Sequence, residues 1–380
     1  MKLSDLPTPA LILDIGRLSH NVKAMGARAK KLGVALRPHV KTAKCAAVTK
    51  MATAGQAGGI TVSTLKEAAY FFDNGFTDIT YAVGIVPAKL AEINRLQTLG
   101  AQVRITLDSP EMAHAIGQEI DRQLDLTTDF SVMIEINSGA NRGGVTAADP
   151  RLIEIGRQID AHPRLSIAGV LSHAGHSYLC AAPADIIVVA EQERDAVVTA
   201  AENLRRHGLP CPIVSVGSTP TAIFADHLDG VTEMRPGVYT LYDISQLALG
   251  VCAEKDIALS VLASIVGKNT DQNYMLCDAG ALALSQDKSP QRSSTNYGYG
   301  PVYDQAGQKQ VKDIIISNVQ QEHGFLTSPS GNAVCDEMPL GSRIRIMPNH
   351  ACMTAAPYDK YYIVDGDDIV IDEWSKITGW

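Results

Sequence analysis

Along the first two-thirds of the chain, short runs of apolar, mostly β-branched residues alternate with longer segments whose apolar positions recur at helical spacing. The runs predict eight strands, at 34–37, 60–63, 79–83, 103–107, 130–136, 167–172, 213–216 and 231–235. Between them, 87–99, 110–119, 150–161 and 183–207 predict helices, each opened by a proline that suits a first helical turn. Uninterrupted apolar strands between helices are the pattern of parallel strands buried on both faces. Eight such units over 14–242 predict a closed (β/α)8 TIM barrel. A doubly wound sheet is the alternative, and it gives no reason for the count.

After Tyr242 the texture changes. Runs at 258–266, 274–277, 314–319, 343–347 and 368–372 are short, β-rich and separated by Gly, Asp and Asn turns. This predicts a C-terminal β-domain over 243–380, joined by the N-terminal residues 1–13, whose run at 10–13 is expected to pair with it. No repeat of solenoid type interrupts either half.

Composition narrows the class. The 380 residues are 46% hydrophobic and 19% charged, enough apolar content for a large core. A net charge of −8, from 33 basic against 41 acidic residues, offers no basic face for nucleic acid. No run reaches membrane-spanning length, and MKLSDLPTPALILD lacks a cationic segment leading into an apolar one, so a cytoplasmic protein is expected. Seven cysteines without a CxxC pair fit a reducing compartment.

A barrel reading makes the chemistry-bearing residues testable, because such sites gather at the C-terminal ends of the strands. Lys41 in RPHVKTAK follows the first strand; Asn141 and Arg142 follow the fifth; His173 and Tyr178 in SHAGHSY follow the sixth. Gly217, Ser218 and Thr219 follow the seventh, and Arg235 and Gly237 end the eighth. Singly, each has an ordinary reading: a solvated lysine, a helix cap, a surface arginine, a satisfied core histidine. Convergence on one rim favours function. Glycine admits close backbone approach, and Ser218 and Thr219 at a helix start offer donors to a phosphate. With a lysine able to form a Schiff base, these are the requirements of pyridoxal 5′-phosphate (PLP). Far along the chain, PNHAC sets His350 and Cys352 two residues apart, where a strand or extended loop would turn both to one side. They can simply pack, or they can hold one metal ion.

RPHVKTAK, the glycine-rich loop with Arg142, SHAGHSY, VSVGSTPT, TEMRPGVY, QQEHG and PNHAC together resemble the fold-type III PLP enzymes. The subgroup is the one that takes in D-serine dehydratases, D-threo-3-hydroxyaspartate dehydratases and D-threonine aldolases, and the resemblance runs the full length. It implies a barrel of the alanine racemase type followed by a β-domain, arranged as a head-to-tail homodimer. Lys41 would carry the cofactor as a Schiff base and then act as the neutral amine that removes the substrate's α-proton. Gly217, Ser218, Thr219, Gly237 and Tyr239 would hold the phosphate, with Tyr178 near the ring, Arg142 near its phenolic oxygen and His173 against it. Arg235 would face the pyridine nitrogen and, staying protonated itself, leave that nitrogen without a proton. The ring is then a weaker electron sink, and His350 and Cys352 would hold the metal that helps expel the β-hydroxyl. Imidazole plus thiolate favours Zn²⁺ over Mg²⁺, with Mn²⁺ or Co²⁺ as alternatives.

The resemblance thus implies a lyase that dehydrates D-β-hydroxy amino acids, D-threo-3-hydroxyaspartate or D-serine, to a 2-oxo acid and ammonia. Aldolases of the family tend to carry aspartate where Cys352 stands, which favours elimination over carbon–carbon cleavage. A D-threonine aldolase, an amino-acid racemase and a non-catalytic PLP carrier are the other readings. Glu322 and His323 in QQEHG receive no role.

Overall fold

The computed structural model describes residues 1–289 and 295–380. The chain falls into two compact units, one of Met25–Lys41, Thr49–Gly237 and Trp380, the other of Met1–Ala24, Thr42–Val48 and Val238–Gly379. Residues 14–24, 42–48 and 238–242, which the sequence pattern assigns to the barrel span, pack within the second of these. No described helix is long and apolar enough to cross a membrane.

The chain opens with strand β1 (Ala10–Asp14), which belongs to the β-rich unit. The barrel follows as β2 (Ala35–Leu36), β3 (Ile60–Val62), β4 (Asp78–Gly84), β5 (Gln102–Leu107), β6 (Phe130–Glu135), β7 (Leu165–Leu171), β8 (Ile213–Val216) and β9 (Glu233–Met234). All neighbours are parallel, in the order β2-β9-β8-β7-β6-β5-β4-β3. A parallel bridge from His39 to Thr61 closes the ring. The expected (β/α)8 barrel is therefore the observed one. Its first and last strands, each of two residues paired in register with one neighbour or both, are shorter than the runs that mark them. Gly169 shows how tightly β7 and β8 approach: a Cβ there would stand 2.0 Å from the Ile213 carbonyl oxygen.

Polar side chains also fill part of the barrel. Arg37, 3% exposed, donates Nε to Glu233 Oε2 (2.7 Å) and clasps Asp78 through both terminal nitrogens (2.8 and 3.1 Å). Glu233 Oε1 accepts from Ser215 Oγ (2.7 Å), and Ser215 Oγ accepts from Arg235 Nη1 (2.5 Å). Buried charges are tolerated when paired and hydrogen-bonded in this way. The chain of alternating charge runs from the start of β4 to the residue just past β9.

The β-rich unit adds β10 (Leu259–Asn269), β11 (Tyr274–Cys277), β12 (Pro301–Tyr303), β13 (Gln310–Val319), β14 (Gly324–Thr327), β15 (Arg343–Ile346), β16 (Lys360–Val364) and β17 (Asp372–Ser375). Six of these, β10-β11-β14-β13-β12-β15, close on themselves, since β11 also pairs with β10. β1 pairs with β10 antiparallel and with β16 parallel, as the N-terminal run predicts. One expected element is displaced: of the run 368–372, only Asp372 belongs to a strand, as the first residue of β17. Gly366 (φ +73°) turns the chain, Ile369 bridges Lys2, and pairing with β16 resumes only at β17.

Candidate active site

The barrel unit gathers its candidates around His173, just past β7. Its Nδ1–H donates to the Gly217 carbonyl. Burial lowers the imidazole's pKa to about 3, reinforced by the positive charges of Lys41, Arg142 and Arg235 and opposed by the Gly217 contact. His39, two residues before Lys41, is driven down for the same reasons, burial first and then Lys41, Arg235 and His173. Both rings are neutral at physiological pH, and three cations from three different strand ends act on one spot. Tyr178, 37% exposed, lies with its ring 6.2 Å from that of His173.

Arg235 is 6% exposed and doubly held, by Ser215 Oγ and by the Ser172 carbonyl (Nη2, 2.6 Å). Burial lowers its pKa, and the charges of Glu233, Glu193 and Glu135 work against that, so the guanidinium remains a cation with a fixed fork. Gly217 is glycine for a packing reason, since a Cβ would stand 3.0 Å from Arg235 Cβ and 3.2 Å from its backbone. Ser218, buried, accepts from Thr221 N (3.1 Å) as the cap of the helix Thr219–Phe224, and its hydroxyl lies 3.0 Å from Ser177 Oγ. Thr219 is fully buried at the start of that helix, and Gly237 is half-buried at the end of the β9 segment. Arg142 is mostly exposed, with Nη2 3.5 Å from Glu135 Oε1.

One organising residue carries no motif and escapes sequence reasoning. Glu193, 1% exposed, on the helix Pro183–Arg206, accepts from Ala174 N (2.8 Å) and Gly217 N (3.1 Å) at Oε1 and from Thr221 Oγ1 (2.7 Å) at Oε2. Burial raises its pKa, while Thr221, the two amides and Arg235 pull the other way. It ties the loop after β7 to the loop after β8. The signal available in sequence was a lone carboxylate on the apolar face of an amphipathic helix.

These residues fit PLP on their own chemistry. Lys41, Arg142 and Arg235 supply positive charge for a phosphate and a phenolate, and buried hydroxyls stand at a helix start. His39 Nδ1 is buried with no hydrogen-bond partner among the described residues, as a polar atom facing a ligand would be.

The β-rich unit holds Tyr239, His350 and Cys352. Tyr239 is fully buried in the turn Val238–Thr240, and burial pushes its phenol up. His350 and Cys352 meet at a helix start instead of along a strand: His350 is the extended N-cap of Ala351–Ala355, and Cys352 lies in the first turn. The tight turn explains this, since Asp243 Oδ2 accepts from Ala351 N (2.9 Å) and pulls the chain into it. Burial alone would lower the His350 pKa; the hydrogen bond and charge of Cys352, with Asp243 and Asp287, outweigh it and raise it to about 9. The same negative neighbours would favour a bound cation that displaces the proton. Among the described residues no group of three or more His, Cys, Asp or Glu could hold a metal ion, so such an ion would draw its other ligands from outside the set. Glu322 and His323 are exposed in the turn before β14.

A parallel barrel with a lysine, a fixed arginine and a buried helix start at its strand ends, followed by a β-domain, defines the alanine racemase-like class. The chain belongs to that family: residues 13–244 match the model described as "Alanine racemase, N-terminal domain", and residues 258–364 match "Putative serine dehydratase domain". It is 44% identical over 383 residues to D-threo-3-hydroxyaspartate dehydratase of Delftia sp. (strain HT23), covering 100% of this chain and 99% of that one. It is 31% identical to D-serine dehydratase of Dictyostelium discoideum, over 100% and 98% of the two chains. A solved structure of a D-threo-3-hydroxyaspartate dehydratase variant in the metal-free form matches with a TM-score of 0.95 and 42% identity, over 100% of both chains.

Proposed function

We propose that this protein is a PLP- and metal-dependent ammonia-lyase that converts D-β-hydroxy amino acids, D-threo-3-hydroxyaspartate foremost and D-serine second, to a 2-oxo acid and ammonia. The observation that carries the reading is the gathering of Lys41, Arg142, Arg235 and His173 at the barrel's strand ends, in a chain whose full length matches a D-threo-3-hydroxyaspartate dehydratase. Bound PLP supplies the electron sink that acidifies the substrate's α C–H.

Lys41 would hold the cofactor and, once released by substrate, take the α-proton at its neutral Nζ. Arg235, clamped by Ser172 and Ser215, keeps its proton and would donate to the ring nitrogen without protonating it. Gly217, Ser218, Thr219, Gly237 and Tyr239 would hold the phosphate, with His173 and Tyr178 toward the ring and Arg142 toward its phenolic oxygen. His173 would do so as a neutral ring, because burial first, and Arg142 and Arg235 with it, deny it a proton. A weakened sink needs help at the leaving group. His350 and Cys352 would hold a divalent cation, zinc by ligand softness, which would supply Lewis acidity to the β-hydroxyl. Loss of the α-proton and of hydroxide leaves an enamine; its imine tautomer takes up water and yields the 2-oxo acid and ammonia.

The active form is a head-to-tail homodimer in the cytoplasm. Val83, Val86 and Leu179, apolar and exposed near the barrel's strand ends, support a covered surface there, and seven cysteines without a CxxC pair support a reducing compartment.

Metal removal tests the division of labour. Chelation, or Cys352→Ala, is expected to abolish ammonia release while leaving the visible absorbance of the bound cofactor in place; losses of at least 10-fold to 100-fold are typical of disrupted metal sites. Full activity in metal-free protein contradicts the proposal.

A further inference from the structure

The metal reading accounts for His350 and Cys352 but leaves two neighbours unexplained. The first is Asp287, in the segment after the helix Ala281–Leu284. His350 Nδ1 lies 2.8 Å from Asp287 Oδ2. A carboxylate can only accept there, so Nδ1 carries a hydrogen, and a metal ion would take the place of the second proton at Nε2. Asp287 is itself anchored: Asn349, 1% exposed, donates Nδ2 to the Asp287 and Gly298 carbonyls, both at 2.9 Å. The residue before the ligand thus holds the backbone of the residue that orients the ligand. The second neighbour is Thr42, 2% exposed, whose Oγ1 lies 3.2 Å from Cys352 Sγ. Once the sulfur is a thiolate, the hydroxyl is the donor. The supporting frame is shared, because Thr354 Oγ1, in the helix that carries Cys352, donates to the Leu284 carbonyl (2.7 Å), three residues before Asp287.

Resting on the metal reading above, we propose that Asp287 and Thr42 are positioning residues that aim and tune the two ligands in opposite senses. Asp287 fixes the His350 tautomer and makes its Nε2 more basic, which tightens the metal. The Thr42 hydroxyl draws electron density from the Cys352 sulfur, which leaves the metal a stronger Lewis acid than an unmodified thiolate would. Affinity comes from one side of the site and acidity from the other.

The test uses the holoenzyme stripped of its metal and titrated with Co²⁺, whose bond to sulfur gives a charge-transfer band. In the unaltered protein, one Co²⁺ per chain should bind and show the sulfur band. Asp287→Ala should weaken Co²⁺ binding on the order of 10-fold to 100-fold by chelator competition, and Asp287→Asn, which keeps the shape, should weaken it in the same direction. In a His350→Ala background, Asp287→Ala should add nothing. Thr42→Val should move the sulfur band to lower energy, and Thr42→Ser should restore it. Asp287 and Thr42 variants that titrate and absorb as the unaltered protein does overturn this inference alone. An unaltered protein that binds no Co²⁺, or binds it without a sulfur band, overturns the metal reading and the inference with it.

Discussion

Lys41 follows the first barrel strand and acts electrostatically on both His39 and His173. Borohydride reduction of the holoenzyme should therefore fix PLP to Lys41, read by peptide mapping; label on Lys44 or Lys66 moves the site, and no label removes it. His173 makes a second prediction, for the cofactor-free protein. Its folded pKa is about 3 against an ordinary value near 6.5, so as pH falls the unfolded chain takes up the proton first. The stability held above pH 6.5 is then lost progressively toward pH 3, by about 2 kcal/mol at pH 5 from this group. Urea unfolding at pH 7 and pH 5 should show a smaller difference in His173→Gln than in the unaltered protein; equal differences contradict the assignment. At this scale the motif residues were legible because each ends a strand. The partners that hold them were not: Glu193, Glu233, Asp287 and Thr42 act through side chains that arrive from elsewhere in the fold, and a sequence shows no such meeting.

Among the elements, the helix Pro183–Arg206 does more than cover the barrel, because Glu193 on it clamps the loops after β7 and β8. Removing that carboxylate strands two amides and a hydroxyl, at roughly 1–3 kcal/mol each, a large part of a stability of about 5–15 kcal/mol. Glu193→Gln keeps an acceptor and adds a donor for Thr221. Equilibrium dialysis should find PLP affinity within about 3-fold of the unaltered protein for Gln and at least about 10-fold weaker for Ala. An alanine variant that binds PLP normally refutes the clamp. Strand positions read well from sequence where burial on both faces made the run continuous, as at β8, whose bounds coincide with the run that marks it. Elsewhere the signal misled. The alternation at 368–372 follows a turn at Gly366 and holds only a bridge to Lys2 before its last residue opens β17, and the expected set omits β16, a buried run that pairs with β1.

At the scale of the whole molecule, the eightfold alternation was the most legible feature, since local apolar runs dictate a parallel barrel without reference to any distant residue. The units as packed were less so: 42–48 lies within the β-rich unit because Tyr361 Oη donates to the Ala43 carbonyl (2.7 Å) and Ile377 N to the Lys44 carbonyl (2.9 Å), contacts across more than 300 residues of chain. The chemistry proposed for the molecule joins a lysine base to a metal-assisted leaving group, and that combination selects both a hand and a bond. One base acting from one side of the cofactor should take the α-proton of D-substrates and leave L-serine and L-threo-3-hydroxyaspartate untouched. The most direct measurement is therefore product identification after incubating the metal-loaded holoenzyme with D-threo-3-hydroxyaspartate. Oxaloacetate and ammonia in equal amounts are the predicted result; glycine and glyoxylate in their place would show carbon–carbon cleavage and contradict the dehydratase account.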